Sequence, residues 1–138
     1  MPRTPLPPGR PGRIVIFMTS GPDTPGRCAT PFFMAAAAAA LEHEAELIFQ
    51  MEGVRLMAKG VAERLTALDA GAGAAVEGKP IAAFIREARA LGVRMRCCSG
   101  SLQARGLSAA DLIPECDGLI GGAQMIELAL SADLVLSY

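Results

Sequence analysis

Two adjacent cysteines, Cys97 and Cys98, stand where an apolar stretch gives way to the small polar turn "SGSLQARG". The thiolate is the nucleophilic form of cysteine, and nearby positive charge and free backbone N–H groups at the start of a helical turn increase its fraction. Residues after Cys98 that could supply such groups are Ser99, Gly100, Ser101 and Arg105, and Arg96 precedes the pair. This setting favours a reactive sulfur at Cys98.

The alternative interpretation is that both cysteines are small core hydrophobes, because free cysteine is among the most often buried residue types. In a strand, successive side chains point to opposite faces. We therefore expect only one member of the pair, Cys98, to lie at a site while Cys97 packs, although an auxiliary role for Cys97 stays open.

Two further segments could contribute to a site. Cys28 lies in the Gly/Pro-rich loop "GPDTPGRCAT" near the start of a helix and is a second candidate for an auxiliary thiol, although a lone loop cysteine is more often incidental. Gly121 and Gly122 could expose N–H groups to an anion, but a tight strand-to-helix turn explains them equally well. Cys116 is interpreted as structural.

Several kinds of site and partner are disfavoured. The single histidine, His43, and the lack of a CxxC spacing predict no metal site, and "GPDTPG" lacks the lysine and hydroxyl of a phosphate loop. We expect no organic cofactor. A net charge of −1 with scattered basic residues argues against direct nucleic-acid binding. Without a secretory signal or a membrane span, the chain is expected to be cytoplasmic, with reduced cysteines and no membrane partner.

The elements that must position these residues alternate along the chain. Residues 1–12 contain five prolines and two glycines and predict a disordered tail, followed by a single domain over 13–138. Apolar, β-branched runs predict strands, and apolar residues at i, i+3, i+4 and i+7 predict helices. The predicted strands are 13–20, 45–51, 93–98, 117–120 and 133–138; the helical segments are 31–44, 52–70 (interrupted at Gly60), 79–92, 99–106 and 121–132, with a flexible connection over 71–78.

Strands separated by helices predict an α/β fold, a three-layer α/β/α sandwich with a mostly parallel five-stranded sheet. In such sheets, binding sites form beyond the carboxyl ends of the strands. The loops expected there are 20–30, 98–101 and 121–122. The sequence thus predicts that Cys28, Cys98 and the glycine pair approach one edge.

The ordered set of motifs resembles the DsrE/DsrF-like (YchN-like) sulfurtransferase family. The motifs are an opening strand with a Pro/Gly loop and an alanine-rich helix, then "EGVRLMAKG", "CSGSLQARG" and "GGAQMIELALSADLVLSY". The resemblance implies that Cys98 accepts sulfane sulfur as a persulfide and passes it to a partner protein, as in sulfur oxidation or tRNA thiolation. It also implies sulfur donor and acceptor proteins and a homo-oligomer, a trimer or hexamer.

Two other functions stay open. The first is a non-catalytic oligomeric binding or scaffolding module in which the vicinal cysteines are structural or redox-sensing. The nearly charge-free helical segment 122–132 agrees with an oligomer, since its apolar surface exceeds what one sheet face needs. The second is a thiol peroxidase, which is disfavoured because no resolving-cysteine motif is evident.

Overall fold

In a computed structural model, which describes residues 4–67 and 78–138, five strands form one sheet. The sheet order is β4-β3-β2-β1-β5, and every pairing is parallel, which confirms the predicted α/β class. The strands are β1 Arg13–Met18, β2 Glu44–Phe49, β3 Arg94–Cys98, β4 Leu119–Ile120 and β5 Leu134–Ser137.

Among the residues that the structure describes, five α-helices connect these strands. They are α1 Thr30–Ala40, α2 Gly53–Leu56, α3 Ile81–Ala90, α4 Ser99–Ala104 and α5 Gly122–Ser131. Pro31 lies at the first positions of α1, where its missing N–H costs no helical hydrogen bond. The short helix α4 directly follows β3, and α2 begins after a three-residue turn that follows β2. Both lie at the carboxyl edge, which is the edge formed by the carboxyl ends of the strands.

Helices cover both faces of the sheet, but unequally. On the closed face, α1 and α3 pack on the sheet in a cluster that includes Phe32, Ile85, Leu47 and Cys97. On the open face, α5 packs on a small cluster of buried residues, which are Val15, Ile48, Ile120 and Met125. These two names are used below for the two sides of the sheet.

The segment after β2 contains less helix than its periodicity predicts. Within the described part of 52–70, regular structure is limited to α2 and a 3-10 turn at Ala62–Arg64. Gly60, which lies between the two, has φ +80°, a left-handed conformation that a continuous helix does not contain. Isolated antiparallel bridges join Ala58 to Leu112 and Thr66 to Pro80. Tertiary pairing has therefore replaced helix in this segment. The predicted flexible connection 71–78 lies outside the described residues except for Gly78.

The segment before β1 makes specific contacts. The Gly12 N–H donates to His43 Nδ1 at 2.8 Å, and Arg10 forms an ion pair with Asp133 at 3.4 Å. His43 thereby joins this segment to the start of β2. The mobility expected for residues 1–12 and the domain boundary at residue 13 stay predictions.

Candidate functional site

Cys98 is the last residue of β3 and the N-cap of α4. Its Sγ accepts a hydrogen bond from the backbone N–H of Ser101 at 3.4 Å, and the residue is partly exposed. Because α4 follows the strand without an intervening loop, the sulfur is held at the carboxyl edge by the chain on both sides of it. A hydrogen-bond donor directed at a sulfur atom favours negative charge on that atom.

Cys97 and Cys98 point to opposite faces, as the strand alternation predicts. Cys97 is buried in the closed-face cluster, whereas Cys98 packs at the margin of the open-face cluster. The register places Cys97 opposite Phe49 of β2 and Cys98 opposite Ile120 of β4. A one-residue step along β3 therefore separates a core sulfur from a partly exposed one.

The turn after Cys98 is anchored to the neighbouring strands. Ser101 is buried, and its Oγ accepts a hydrogen bond from the Met51 N–H at 2.9 Å. The Ser99 hydroxyl donates to the Ile120 carbonyl at 3.4 Å. A Cβ added at Gly100 would lie 4.0 Å from Cys98 Sγ, an ordinary contact distance. These bonds fix the position of the sulfur relative to β2 and β4.

The two arginines near Cys98 are each paired with a carboxylate. Arg105 Nε donates to Glu52 Oε1 at 2.9 Å, and its Nη1 donates to the Ser101 carbonyl at 3.3 Å. Arg96 Nε donates to Glu46 Oε1 at 2.6 Å on the open face. The carboxylates offset much of the positive potential that the sequence alone suggests for this edge.

Glu52 is a residue of this edge that sequence reasoning did not single out. It receives hydrogen bonds from Arg55 and Arg105, which lower the pKa of its carboxyl group, and Asp23 lies 3.7 Å from Arg55. The available signal was its place at the start of "EGVRLMAKG", directly after β2. A series of ion pairs therefore joins the segments that follow β1, β2 and β3. Its members, in order, are Asp23, Arg55, Glu52 and Arg105.

Two glycines allow the loops after β1 and β2 to approach each other closely. A Cβ at Gly53 would collide with the Met18 carbonyl, and one at Gly21 would collide with the Glu52 carbonyl. Since both contacts are with backbone, neither could be relieved by a side-chain movement. The carboxyl edge beside Cys98 is thus closely packed at β1 and β2.

The glycine pair lies beside the same edge. Gly121 directly follows β4, whose Ile120 is the register partner of Cys98, and Gly122 begins α5. The Gly121 N–H donates to Gln124 Oε1 at 2.9 Å. That N–H group already has an acceptor within the chain, as a tight strand-to-helix turn requires.

Cys28 is buried in the closed-face cluster, so it does not lie on the face to which Cys98 points. Its thiol donates to the carbonyls of Gly21 at 3.3 Å and Thr24 at 3.4 Å. Burial raises the pKa of this thiol to about 11. A protonated, buried thiol is a poor nucleophile, so Cys28 is best described as a packing residue.

Cys116 lies next to Cys97, with 3.8 Å between the two Sγ atoms. The hydrogen bond between the two thiols lowers the pKa of Cys116 to about 7, and the same bond, together with burial, raises the pKa of Cys97. Cys116 is partly exposed. The sequence interpretation of Cys116 as merely structural missed this proximity, which 18 intervening residues conceal.

Other features of the described residues lie away from Cys98. A cavity of about 570 Å³ is lined by Leu6, Ile14, His43, Leu134 and others near the amino ends of β1 and β5. Within 4–67 and 78–138, no group of three or more potential ligands could hold a metal ion. No helix in the same ranges has the length and apolar character needed to cross a membrane.

The protein is therefore an α/β protein with a cysteine at the carboxyl edge of a parallel sheet. Residues 12–138 match the model of the DsrE/DsrF-like family, and the chain belongs to that family. The resemblance stated from the motifs is thereby confirmed.

Two solved structures share the fold. The ychN protein from E. coli has a TM-score of 0.71 and 21% identity, over 92% of this chain and 99% of that one. The protein MTH1491 from Methanobacterium thermoautotrophicum, described as of unknown function, has a TM-score of 0.61 and 13% identity over the same shares. No curated protein matches the sequence.

Proposed function

We propose that the protein is a sulfur carrier, a sulfurtransferase-like subunit that accepts sulfane sulfur on Cys98 and passes it to a partner protein. The observation that carries the proposal is the position of Cys98. The residue is partly exposed at the carboxyl edge, and the Ser101 N–H is directed at its sulfur, in a chain of the DsrE/DsrF-like family.

The transfer consists of two thiol exchange steps. The Cys98 thiolate attacks the outer sulfur of a donor persulfide, R–S–SH; the donor S–S bond breaks, a new S–S bond forms on Cys98, and RS⁻ leaves. An acceptor thiolate then attacks the outer sulfur of Cys98–S–SH, and Cys98 leaves as its thiolate. No electrons are gained or lost overall, and neither step requires a metal or an organic cofactor.

The residues around Cys98 support these roles. The Ser101 N–H can stabilise the sulfur anion both before loading and when it leaves. Ser99 and Gly100 are small, so a donor or acceptor tail can approach. Arg105, paired with Glu52 and bonded to the Ser101 carbonyl, positions the turn rather than contacting the sulfur. Gly121 and Gly122 border the approach from β4.

The partners are a sulfur donor, a sulfur acceptor and further copies of this chain, in the cytoplasm. On α5, Ile126 is 63% exposed and Leu130 82% exposed, and both extend the apolar surface beside the open face. An exposed apolar helix face of this kind is typical of a subunit interface. A trimer or hexamer formed through α5 accounts for these residues.

Persulfide formation tests the carrier function directly. After treatment with polysulfide, we expect intact-mass spectrometry to show a gain of about 32 Da, the mass of one sulfur atom, that dithiothreitol removes. Cys97→Ser is the matched control and should keep the gain, whereas Cys98→Ser should lose it. A gain that peptide mapping places on residues 97–105 of Cys98→Ser, or no gain on those residues in the wild type, would contradict the proposal.

A binding or scaffolding module without sulfur transfer is the second candidate, and the exposed apolar face of α5 favours it. It predicts oligomers and no persulfide. Light scattering on Leu130→Glu tests the interface in both cases, with Phe33→Glu on the outer side of α1 as the control. We expect Leu130→Glu to be a monomer and Phe33→Glu to remain an oligomer. If both variants remain oligomers, α5 is not the interface.

A further inference from the structure

We propose that Cys97 and Cys116 form a second functional thiol site, a dithiol that two-electron oxidants such as hydrogen peroxide convert to a disulfide. The site is separate from Cys98 and lies on the other face of the sheet. It goes beyond the proposed sulfur carrier function and does not depend on it.

The two sulfurs are already in contact. The Cys97 and Cys116 Sγ atoms are 3.8 Å apart, so small side-chain rotations can bring them to the disulfide bond length of about 2.05 Å. The vicinal pair Cys97–Cys98 lacks this advantage, because the two side chains point to opposite faces. The structure therefore selects Cys116 as the partner of Cys97.

Backbone bonds hold Cys116 beside β3. The Asp117 N–H donates to the Met95 carbonyl at 2.7 Å, and Asp117 Oδ2 accepts from the Met95 N–H at 2.8 Å. The Cys97 N–H donates to the Gly118 carbonyl at 3.0 Å. Because these bonds fix the two residues directly after Cys116 against β3, the proximity of the two thiols is built into the pairing of the segment with the strand.

The two thiols have the unequal character that such a reaction needs. Cys116 is partly exposed, and its hydrogen bond with Cys97 lowers its pKa and so favours the thiolate, which makes Cys116 the attacking sulfur. Cys97 is buried and protonated, and the Cys116 sulfur lies 3.8 Å from its own. Cys116 thus corresponds to the thiol that reacts first and Cys97 to the one that resolves the intermediate.

The reaction balances in two steps. The Cys116 thiolate attacks one oxygen of hydrogen peroxide; the O–O bond breaks, giving Cys116–S–OH and hydroxide. The Cys97 sulfur then attacks the Cys116 sulfur, the S–O bond breaks, and the proton of Cys97 neutralises the departing hydroxide as water. The proton that Cys116 lost on ionising converts the first hydroxide to water. Two thiols are thus oxidised by two electrons in total, and one peroxide is reduced to two waters.

A variant without Cys98 provides the cleanest test, since it removes the vicinal competitor and cannot load sulfur at Cys98. The Cys98→Ser protein is treated with hydrogen peroxide in its native state, denatured, alkylated and digested with trypsin. Cleavage after Arg96 and Arg105 separates residues 97–105 from 106–138, so each thiol of the site lies on its own peptide.

We expect these two peptides to be joined, with a mass about 2 Da below their sum and with only Cys28 alkylated. The link should form at least about tenfold faster in the native protein than in urea, because folding holds the sulfurs together. Dithiothreitol should separate the peptides, and Cys116→Ala in the same background should abolish the link, whereas Cys28→Ser should retain it.

The proposal is overturned if all three remaining cysteines are still alkylated after oxidation, if Cys116 is oxidised without becoming linked, or if the link forms equally fast in urea. Persulfide formation on Cys98 is measured separately in the wild type. A failure of either test therefore leaves the other interpretable.

Discussion

The two faces of the sheet are covered by helices to very different extents. On the closed face, α1 and α3 bury a cluster that includes 22 of the described residues, among them Phe32, Leu47 and Phe49. On the open face, α5 buries four, and the ion pair between Glu46 and Arg96 lies on the same side. One face provides most of the apolar burial, and the other carries a largely buried ion pair and one partly exposed thiol.

Because the two faces are covered differently, the two cysteines of one strand lie in different environments. Cys97 and Cys98 are neighbours in sequence, yet the first belongs to the closed face and the second to the open face. The closed face pairs its sulfur with Cys116, whereas the open face presents its sulfur to partners at the carboxyl edge. If the two faces differ in this way, substitutions on the closed face should cost more stability than substitutions on the open face.

The closed face should dominate stability. Phe32→Ala removes a fully buried ring whose centroid is 5.9 Å from that of Phe49, and we expect it to lower the free energy of unfolding by about 3–5 kcal/mol. Phe33, its neighbour on the outer side of α1, is 64% exposed. Phe33→Ala should therefore change the free energy of unfolding by no more than about 0.5 kcal/mol. Urea denaturation measures both. Equal losses would refute the assignment of Phe32 to the core.

On the open face, the ion pair should contribute through the cost of an unpaired charge. Glu46→Ala leaves the largely buried Arg96 without its carboxylate, and we expect a loss of roughly 1–3 kcal/mol in the free energy of unfolding. The control is Glu44→Ala, which breaks the exposed pair with Arg13 and should cost at most about 1 kcal/mol. If the two variants lose the same stability, burial has no influence on the Glu46–Arg96 pair.

The closed-face dithiol should have a distinctive pH dependence. Because the pKa of Cys116 is lowered to about 7, its thiolate increases as pH rises through that value, and the rate of Cys97–Cys116 oxidation should increase about tenfold from pH 6 to pH 8 and then level off. The rate is measured in the Cys98→Ser protein by stopping the oxidation at successive times and quantifying the linked peptides. A rate that continues to rise beyond pH 9 would show that Cys116 titrates like an ordinary thiol.

Local patterns predicted the elements well where periodicity and boundary residues agree. The helix expected over 79–92 is α3, Ile81–Ala90, whose apolar spacing matches its buried residues Ile81, Ile85 and Ala88. The strands expected over 13–20 and 45–51 are β1 and β2 with ends shifted by one or two residues. The segment after β2 was predicted poorly, because its bridges at Ala58 and Thr66 join residues far apart in the chain.

The candidate site shows the same limit. The position of Cys98 at a strand end follows from local pattern, and so does its separation from Cys97. The ion pairs of Arg96 and Arg105 join residues 50 and 53 positions apart, and the contact of Cys97 with Cys116 spans 19. Such contacts depend on strand order and register, which a single sequence does not specify. Arg105 and Cys116 were therefore interpreted without their actual partners.

The sheet separates two adjacent cysteines into one partly exposed thiol, Cys98, and one buried thiol, Cys97. The most direct test is brief treatment of the native protein with iodoacetamide, followed by fragmentation of the tryptic peptide 97–105, which places the label on one cysteine or the other. We expect Cys98 to be labelled at least about tenfold faster than Cys97. Equal labelling, or label on Cys97 alone, would contradict the account.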